Sequence, residues 1–313
     1  MITKEAKDKQ LYKKNCYYLN SARSAFKYIL QNVLKETDII LMPSYIGETQ
    51  KEGSGVFDPI RETNSKYLFY KLNENLMADF QDIKQKIEEN KDVKAILLIH
   101  YFGFAQESIF QIKELCKKHS ILLIEDCAHT IQGKFQNILL GTIGDFSFNS
   151  IHKLIATPNG GILKINNPKY FNLILKENLI DYDSLAQFIN TDLTETSKKR
   201  IENYNYYLGH LPKQSKFYSI MFENLAKGTV PLNFPICIKN FDRFKFYNIL
   251  IEKGVITVSL YYQLIKELDS KQYPISFNIS KEILNLPVHQ DITFEDIDFI
   301  ISKMCEIENE YRI

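Results

Sequence analysis

The sequence predicts an α/β protein with a mainly parallel central sheet flanked by helices. Between about residue 20 and residue 165, short apolar stretches alternate with amphipathic ones, which is the pattern of parallel strands connected by helices. A chain of 313 residues, 45% of them hydrophobic, can also bury enough core for one large domain and a smaller one. Polar residues follow several apolar runs, and ligands of open α/β sheets bind beyond the carboxyl ends of the strands.

Six apolar stretches of the first half are predicted as strands and two amphipathic stretches as helices. The strands are TDIILMPSY, YLFYKLN, VKAILLIHYFG, SILLIED, DFSFNS and GGILKI. The helices, FQDIKQKIEEN and SIFQIKELCKKH, carry apolar residues at helical spacing. Together these elements predict a large α/β domain over residues 1–165.

The second half is predicted to contain a connection and a smaller domain. Residues 166–215 are polar and helical in pattern, without a convincing strand. From TVPLNFPICI onward, strand signals alternate with amphipathic helices again, and Thr293 with Asp296 forms a plausible capping box. We expect residues 216–313 to form a small C-terminal α/β domain.

Composition and charge exclude several classes of protein. With 39 basic and 38 acidic side chains, the chain has no overall field that favours nucleic acid or an anionic membrane. The five cysteines are odd in number and lack CxxC spacing, so neither a disulfide framework nor a metal site is predicted. The N-terminus lacks an apolar signal core and no run approaches a membrane span of roughly 20 residues. We expect a soluble, cytoplasmic protein.

An acid and a lysine carry the most specific chemistry. Asp126 ends the apolar run ILLIED, and Lys153 lies in the segment after the strand DFSFNS. A pyridoxal phosphate enzyme needs one carboxylate to keep the pyridine nitrogen protonated and one amine to bind the aldehyde. A partly desolvated cleft would lower the pKa of that lysine and make its free amine available. His152 competes for the role, although a strand neighbour would point the opposite way.

Each of these residues also has an ordinary interpretation. Asp126 is otherwise a loop acid or a helix cap, and Lys153 is otherwise a solvated surface lysine. The presence of both residues strengthens the catalytic interpretation of each, because a pyridoxal phosphate enzyme needs both groups.

The phosphate of such a cofactor needs backbone N–H donors at a helix start and small hydroxyl groups. The segment LNSARSAFKYIL supplies a cap at Asn20 or Ser21 and amides at Ala22 and Arg23. A plain capped helix is the alternative. Ser147 and Ser150 are further phosphate candidates, and otherwise ordinary strand serines.

Seven segments, taken in order, resemble the DegT/DnrJ/EryC1/StrS family of PLP-dependent sugar aminotransferases. They are LNSARSA, LMPSYIGET, LLIHYFGF, LLIEDCAHTIQG, GDFSFNSIHKLIATPNGGIL, TVPLNFPI and ILNLPVHQDIT. The resemblance covers nearly the whole chain, and the ordered set is far more specific than any single segment.

The resemblance implies a fold type I PLP-dependent transferase, usually a homodimer. Its expected substrates are an amino-acid donor, usually glutamate, and a keto sugar attached to a nucleotide, for amino-sugar or surface polysaccharide biosynthesis. By motif position Lys153 binds the cofactor covalently, Asp126 pairs with the pyridine nitrogen, and His129 faces the cofactor. Ser21, Ala22 and Arg23 match the phosphate cradle, and Ser147 or Ser150 its hydroxyl donor.

The chain departs from the family pattern at several positions. Phe148 stands where the commonest members have the phosphate-binding serine, and Gly47 stands where they have an aromatic residue near the ring. Tyr45 and Tyr101 are the candidates to replace that aromatic, and they are also candidates for contact with the substrate. The segment Gly-Tyr-Asn-x-Arg-Met, which reaches the neighbouring subunit in the family, has no counterpart in 166–215.

Three further residues have two interpretations each. His289, in LPVHQDIT, contacts substrate or serves a structural turn, while Tyr261 and Tyr262 line the pocket or pack in the core. Two other functions also stay open. One is a sugar dehydratase, a class in which histidine replaces the lysine. The other is a catalytically inactive homologue that binds the cofactor only.

Overall fold

A computed structural model of the protein describes residues 15–51, 53–173, 175, 177–213, 215–258 and 260–311. The strands in this part of the chain are β1 (Cys16–Leu19), β2 (Ile39–Pro43), β3 (Lys66–Tyr70), β4 (Val93–Ile99), β5 (Leu122–Asp126), β6 (Lys134–Phe135), β7 (Ile138–Leu139), β8 (Phe146–Ser150), β9 (Gly161–Ile165), β10 (Tyr218–Ile220), β11 (Asn233–Ile238) and β12 (Ile283–Pro287). The helices are α1 (Ala22–Val33), α2 (Asp58–Thr63), α3 (Phe80–Glu89), α4 (Ile109–His119), α5 (Tyr182–Asn190), α6 (Leu193–His210), α7 (Arg243–Glu252), α8 (Pro274–Glu282) and α9 (Phe294–Glu310).

Seven strands form the large sheet in the order β1-β9-β8-β5-β4-β2-β3. The pairs β2/β3, β2/β4, β4/β5 and β5/β8 are parallel, whereas β9 pairs antiparallel with both β8 and β1. The predicted mainly parallel sheet is therefore confirmed, and β9, next to the edge strand β1, is the one strand of this sheet that runs antiparallel to the others. All six strands predicted for the first half belong to this sheet.

Helices cover the large sheet because their apolar residues recur on one face. In α3 the buried residues are Ile83 and Ile87, four positions apart, and Asp79 caps the helix by accepting from two first-turn amides. Strand β4 is buried at nearly every position, as expected for a parallel strand with both faces covered.

Helix α1 begins directly beside strand β9. Ser21 caps it by accepting from the Ser24 N–H at 3.1 Å, and Phe26 and Ile29 face the core. At Gly161 the backbone of β9 passes so close that a Cβ atom there would collide with the carbonyl carbon of Ser21 and the amide nitrogen of Ala22. Glycine at this position lets the helix start and the sheet meet.

A smaller antiparallel sheet, in the order β10-β11-β12, forms the C-terminal part together with α6, α7, α8 and α9. The predicted capping box of α9 is confirmed, since Thr293 and Asp296 each accept from the backbone N–H of the other. One apolar cluster continues from the large sheet into this part. It includes the stacked rings of Phe104 and Phe222, whose centroids lie 3.9 Å apart.

The predicted connection contains α5 and α6. Within the described residues of 166–215, the only β-type pairing is an isolated bridge between Leu179 and Leu19. Helix α6 packs on α9 of the C-terminal part. The division of the chain into residues 1–165, 166–215 and 216–313 stays a prediction. In the described part of the chain, every helix is too short or too polar to cross a membrane.

Gly161→Ala tests the close approach of β9 and α1. We expect it to lower the free energy of unfolding by roughly 1–3 kcal/mol, because two backbones must separate to admit the methyl group. Gly209→Ala is the control, since a Cβ at Gly209, near the end of α6, meets no atom within 4 Å. It should raise stability by up to about 1 kcal/mol. Urea unfolding followed by circular dichroism measures both, and equal midpoints would contradict the tight contact.

Candidate active site

A cavity of about 690 Å³ lies where β5 and β8 end, against the start of α1. Its lining includes Asp126, Ser150, Lys153, the first residues of α1, and Tyr261 from the C-terminal part. A larger cavity of about 800 Å³ lies between α6 and the edge strands, but its lining is mostly apolar and its acid, Glu202, is exposed. The cavity of about 690 Å³ is the candidate active site, because titratable groups converge in it, although the other cavity is larger.

Asp126 is the last residue of β5 and is 3% exposed. Its Oδ1 accepts from the Ala128 N–H at 2.8 Å. Burial raises the pKa of Asp126 to about 6, while the Ala128 amide and the positive charge of Lys153 oppose that rise. The carboxylate is therefore short of stabilising partners, which is the condition for binding a cationic group.

Glu125, the preceding residue, is buried in a fully bonded environment. It accepts from backbone amides of Gly141, Ile143 and Gly144 and lies 3.1 Å from His100 Nε2. Burial alone would raise the pKa of Glu125, but these hydrogen bonds, led by that from His100, lower it below its usual value. This network fixes the end of β5 and so holds Asp126 at the cavity.

Lys153 lies in the turn that follows β8, and its Nζ is 3.1 Å from His129 Nε2. His129 is buried, and its Nδ1 accepts from the Phe102 N–H at 2.9 Å. Burial and the nearby Lys153 lower the pKa of His129 well below its usual value, so the ring is neutral with its proton on Nε2. The Nε2 proton can be donated to Lys153 Nζ only when that amine is neutral.

Two expectations about this turn were wrong. Lys153 is exposed at the cavity rather than partly desolvated, and the desolvated partner is His129. His152 does not point away from Lys153 as a strand neighbour would, because β8 ends at Ser150 and both residues line the cavity from the turn.

The carbonyl of Leu154 anchors the lysine turn. It accepts from Arg200 Nη2 of α6 and from Gln290 Nε2, each at 3.2 Å. Arg200 is 2% exposed and also donates to the carbonyl of Leu232, and burial lowers the pKa of its guanidinium to about 10. The helical connection therefore reaches the residue next to Lys153, a contact between distant segments that no local pattern predicts.

The phosphate candidates separate into two groups. Ser21, Ala22 and Arg23 line the cavity at the first turn of α1, where backbone amides have no intrahelical partner, and Ser150 lines it from β8. Ser147 lies elsewhere, because alternate strand residues face opposite sides, and its Oγ donates to the carbonyl of Gly141.

The aromatic candidates behave differently from expectation. Tyr45 and Tyr101 are buried against each other, and Tyr101 donates its hydroxyl hydrogen to the Tyr45 carbonyl. Neither lines the cavity, whereas Tyr261 does. His289 lies beyond β12, 3.4 Å from Asp291, and does not line the cavity either.

Asn159 is a cavity residue that sequence reasoning did not single out. Its Oδ1 is buried without a hydrogen-bond partner. The sequence signal that could have identified Asn159 is the turn PNGG after Lys153, because a glycine-rich turn lets its own backbone come close to a site.

Comparison with known proteins identifies the family. The model of the DegT/DnrJ/EryC1/StrS aminotransferase family matches residues 9–178 and 185–305. The chain belongs to this family. Membership confirms the resemblance predicted from the ordered motifs and makes the protein an aminotransferase by family.

Named relatives are distant. GDP-perosamine synthase of Escherichia coli O157:H7 is 26% identical over 275 residues, covering 76% of this chain and 71% of that one. A UDP-4-amino-4,6-dideoxy-N-acetyl-beta-L-altrosamine transaminase of Campylobacter jejuni (strain 81-176) is 23% identical, covering 94% and 85%. GDP-perosamine synthase of Vibrio cholerae is 36% identical over only 96 residues, 30% of this chain and 25% of that protein.

Solved structures share the fold. An aminotransferase from Psychrobacter cryohalolentis superposes with a TM-score of 0.77 at 13% identity, covering 95% of this chain and 88% of that one. A DegT DnrJ EryC1 StrS aminotransferase from Brucella abortus gives 0.77 at 17% identity, covering 93% and 85%. The predicted fold class of this aminotransferase is thereby confirmed.

Asp126→Asn tests the cost of the buried carboxylate. The folded-state pKa of about 6 lies above the ordinary value of 3.8, so the folded state binds the proton more tightly and stability falls as pH rises from 3.8 to about 6. The difference corresponds to about 3 kcal/mol. Without added cofactor, the variant should therefore be more stable than the wild type at pH 8 and similar to it near pH 4.

Glu125→Gln is the matched control for that experiment. The lowered pKa of Glu125 means that its carboxylate stabilises the fold above its unfolded pKa, so the amide should reduce stability at pH 8. Urea unfolding at both pH values measures the two variants. Equal destabilisation by Asp126→Asn and Glu125→Gln at pH 8 would contradict the opposite pKa shifts of the two carboxylates.

Proposed function

We propose that the protein transfers an amino group from an amino acid, L-glutamate, to a keto sugar linked to a nucleotide, using pyridoxal 5'-phosphate. The observation that carries this proposal is the contact of Lys153 Nζ with His129 Nε2 at 3.1 Å, in a cavity that also contains the buried carboxylate of Asp126. A lysine in contact with a neutral buried imidazole, and an under-stabilised acid lining the same cavity as that lysine, suit this cofactor.

The residues present fit the cofactor at each of its groups. Asp126 suits the pyridine nitrogen, because a protonated ring would supply the positive partner that the buried carboxylate lacks. The first-turn amides of α1 and the Ser150 hydroxyl suit the phosphate. Gly161 has no side chain that would cover the backbone at the start of α1. Lys153 suits the aldehyde.

When bound, pyridoxal phosphate supplies an electron sink for negative charge at the α-carbon of the amino donor. Lys153 would hold the cofactor covalently and, once released by the donor, accept the α-carbon proton on its neutral Nζ. His129 keeps that amine oriented through its Nε2 proton, since its own Nδ1 is engaged by the Phe102 amide. Asp126 stabilises charge without moving a proton itself.

The names of the relatives support the acceptor class. They concern sugars carried by GDP or UDP, so they have a nucleotide-linked sugar in common and differ in the nucleotide. We extend the proposal to amino-sugar or surface polysaccharide biosynthesis, by a homodimer in the cytoplasm, on the resemblance of the motifs.

Lys153→Ala tests the cofactor and the reaction together. The wild type with pyridoxal phosphate should show the long-wavelength absorption band of the lysine-linked cofactor, and L-glutamate should abolish it as the amino group transfers. The variant should show no such band, since no other amine lies at this position. Borohydride reduction followed by peptide mass spectrometry should label Lys153 in the wild type only.

Lys169→Ala is the control, because this exposed lysine lies outside the cavity, and it should behave as the wild type. A wild type that binds the cofactor but does not respond to amino acids would instead indicate the dehydratase or the inactive homologue. Labelling of another peptide would rule out the assignment of Lys153.

A further inference from the structure

At the cavity, the side chain of Tyr261 fills the space that a side chain on residue 47 would need. A Cβ atom built on Gly47 would lie 2.6 Å from Tyr261 Cδ1 and 3.1 Å from Tyr261 Cα. Residue 47 therefore cannot carry a side chain while Tyr261 is in place. Gly47 also stands where the motif resemblance has an aromatic residue near the ring. One aromatic side chain fits here, and in this chain it comes from residue 261.

The backbone around Tyr261 is tied to the loop after β2. The Glu48 N–H donates to the Gln263 carbonyl at 3.0 Å, and the Ile265 N–H donates to the Ile46 carbonyl at 3.0 Å. Close by, Arg61 of α2 binds Glu267 through two hydrogen bonds of 2.9 and 2.8 Å. These contacts fix the position of the C-terminal segment against the large sheet and so hold Tyr261 beside Gly47.

Tyr261 is held in a strained conformation. Its φ is +63°, in the left-handed region that is unfavourable for a residue with a side chain. Four rings surround it, with centroid distances of 5.1 to 6.2 Å, namely Tyr45, Tyr101, Phe102 and His129. Strain of this kind persists where the surroundings over-determine it, and it concentrates at functional sites.

The hydroxyl of Tyr261 lies close to the contact between Lys153 and His129. It lies 3.4 Å from His129 Nε2, the same atom that contacts Lys153 Nζ at 3.1 Å. Burial, and then the charge of Asp126, raises the pKa of Tyr261, so the phenol stays protonated. Tyr261 therefore lines the cavity, as Phe148 does, and in addition its hydroxyl contacts His129, the partner of Lys153.

We propose that Tyr261 supplies the aromatic surface against which the cofactor ring packs, replacing the side chain that Gly47 lacks. This inference rests on the proposed function, because it requires pyridoxal phosphate to occupy the cavity. It explains why residue 47 is glycine, why a strained tyrosine is kept, and why the buried Tyr45 and Tyr101 do not take the role. Tyr45 and Tyr101 instead form the wall behind the Tyr261 ring.

Cofactor affinity, measured by absorption titration without amino donor, tests the proposal. Tyr261→Phe should keep the dissociation constant within about threefold, whereas Tyr261→Leu, which fills space without a π-face, should raise it roughly tenfold. The circular dichroism of the bound chromophore should change in Tyr261→Leu and persist in Tyr261→Phe. Tyr262→Leu is the control, since that neighbouring side chain is exposed and outside the cavity, and it should change neither readout.

An exchange of the two residues gives a stricter test. Tyr261→Gly should weaken cofactor binding at least tenfold while relieving the backbone strain, because glycine adopts positive φ readily. Adding Gly47→Tyr to that variant should recover most of the affinity, since the ring then enters the same space from the other chain segment.

The outcomes separate this proposal from the proposed function. If the wild type binds the cofactor through Lys153 and Tyr261→Leu binds equally tightly, Tyr261 is only a packing residue and this inference alone is wrong. If the wild type binds no cofactor, both proposals fail. Urea unfolding of each variant without cofactor distinguishes a lost contact from a lost fold, and Tyr261→Phe against Tyr261→Leu decides the matter even if the exchanged variant does not fold.

Discussion

The buried carboxylate of Asp126 is the constraint on which the site depends. Strand β5 lies in the middle of a sheet covered on both faces, so its last residue has little access to water. One backbone amide is the hydrogen-bond donor that the structure gives Asp126. The folded protein therefore holds an anion in surroundings that disfavour it, and a cation bound beside it would recover the difference.

Glu125 shows that the same strand end can stabilise a carboxylate fully. Two adjacent acids of β5 point to opposite sides of the sheet, and the pKa of Glu125 is lowered while that of Asp126 is raised. By the direction of these two shifts, the ionised form of Glu125 favours the folded state and the ionised form of Asp126 disfavours it. Such a local cost is expected where a residue is kept for binding rather than for folding.

The rest of the site is assembled from segments that are far apart in sequence. The start of α1 meets β9 at Gly161, the lysine turn is held by Arg200 of α6, and Tyr261 enters beside Gly47. A shared apolar cluster fixes the C-terminal part against the large sheet, which makes these placements rigid. The lysine therefore faces a cavity whose walls come from both halves of the chain.

The sequence by itself determined the sheet class, the strands β2, β3, β4, β5, β8 and β9, and the capping box of α9, and it singled out Asp126 and Lys153, which line one cavity. These follow from local periodicity, from capping chemistry and from an ordered set of motifs. Tertiary structure decided which serine reaches the cavity, that His129 rather than Lys153 is desolvated, and that Tyr261 rather than Tyr45 or Tyr101 lines it. The physical reason is that burial and contact depend on long-range packing, which neither the spacing of residues nor their type specifies.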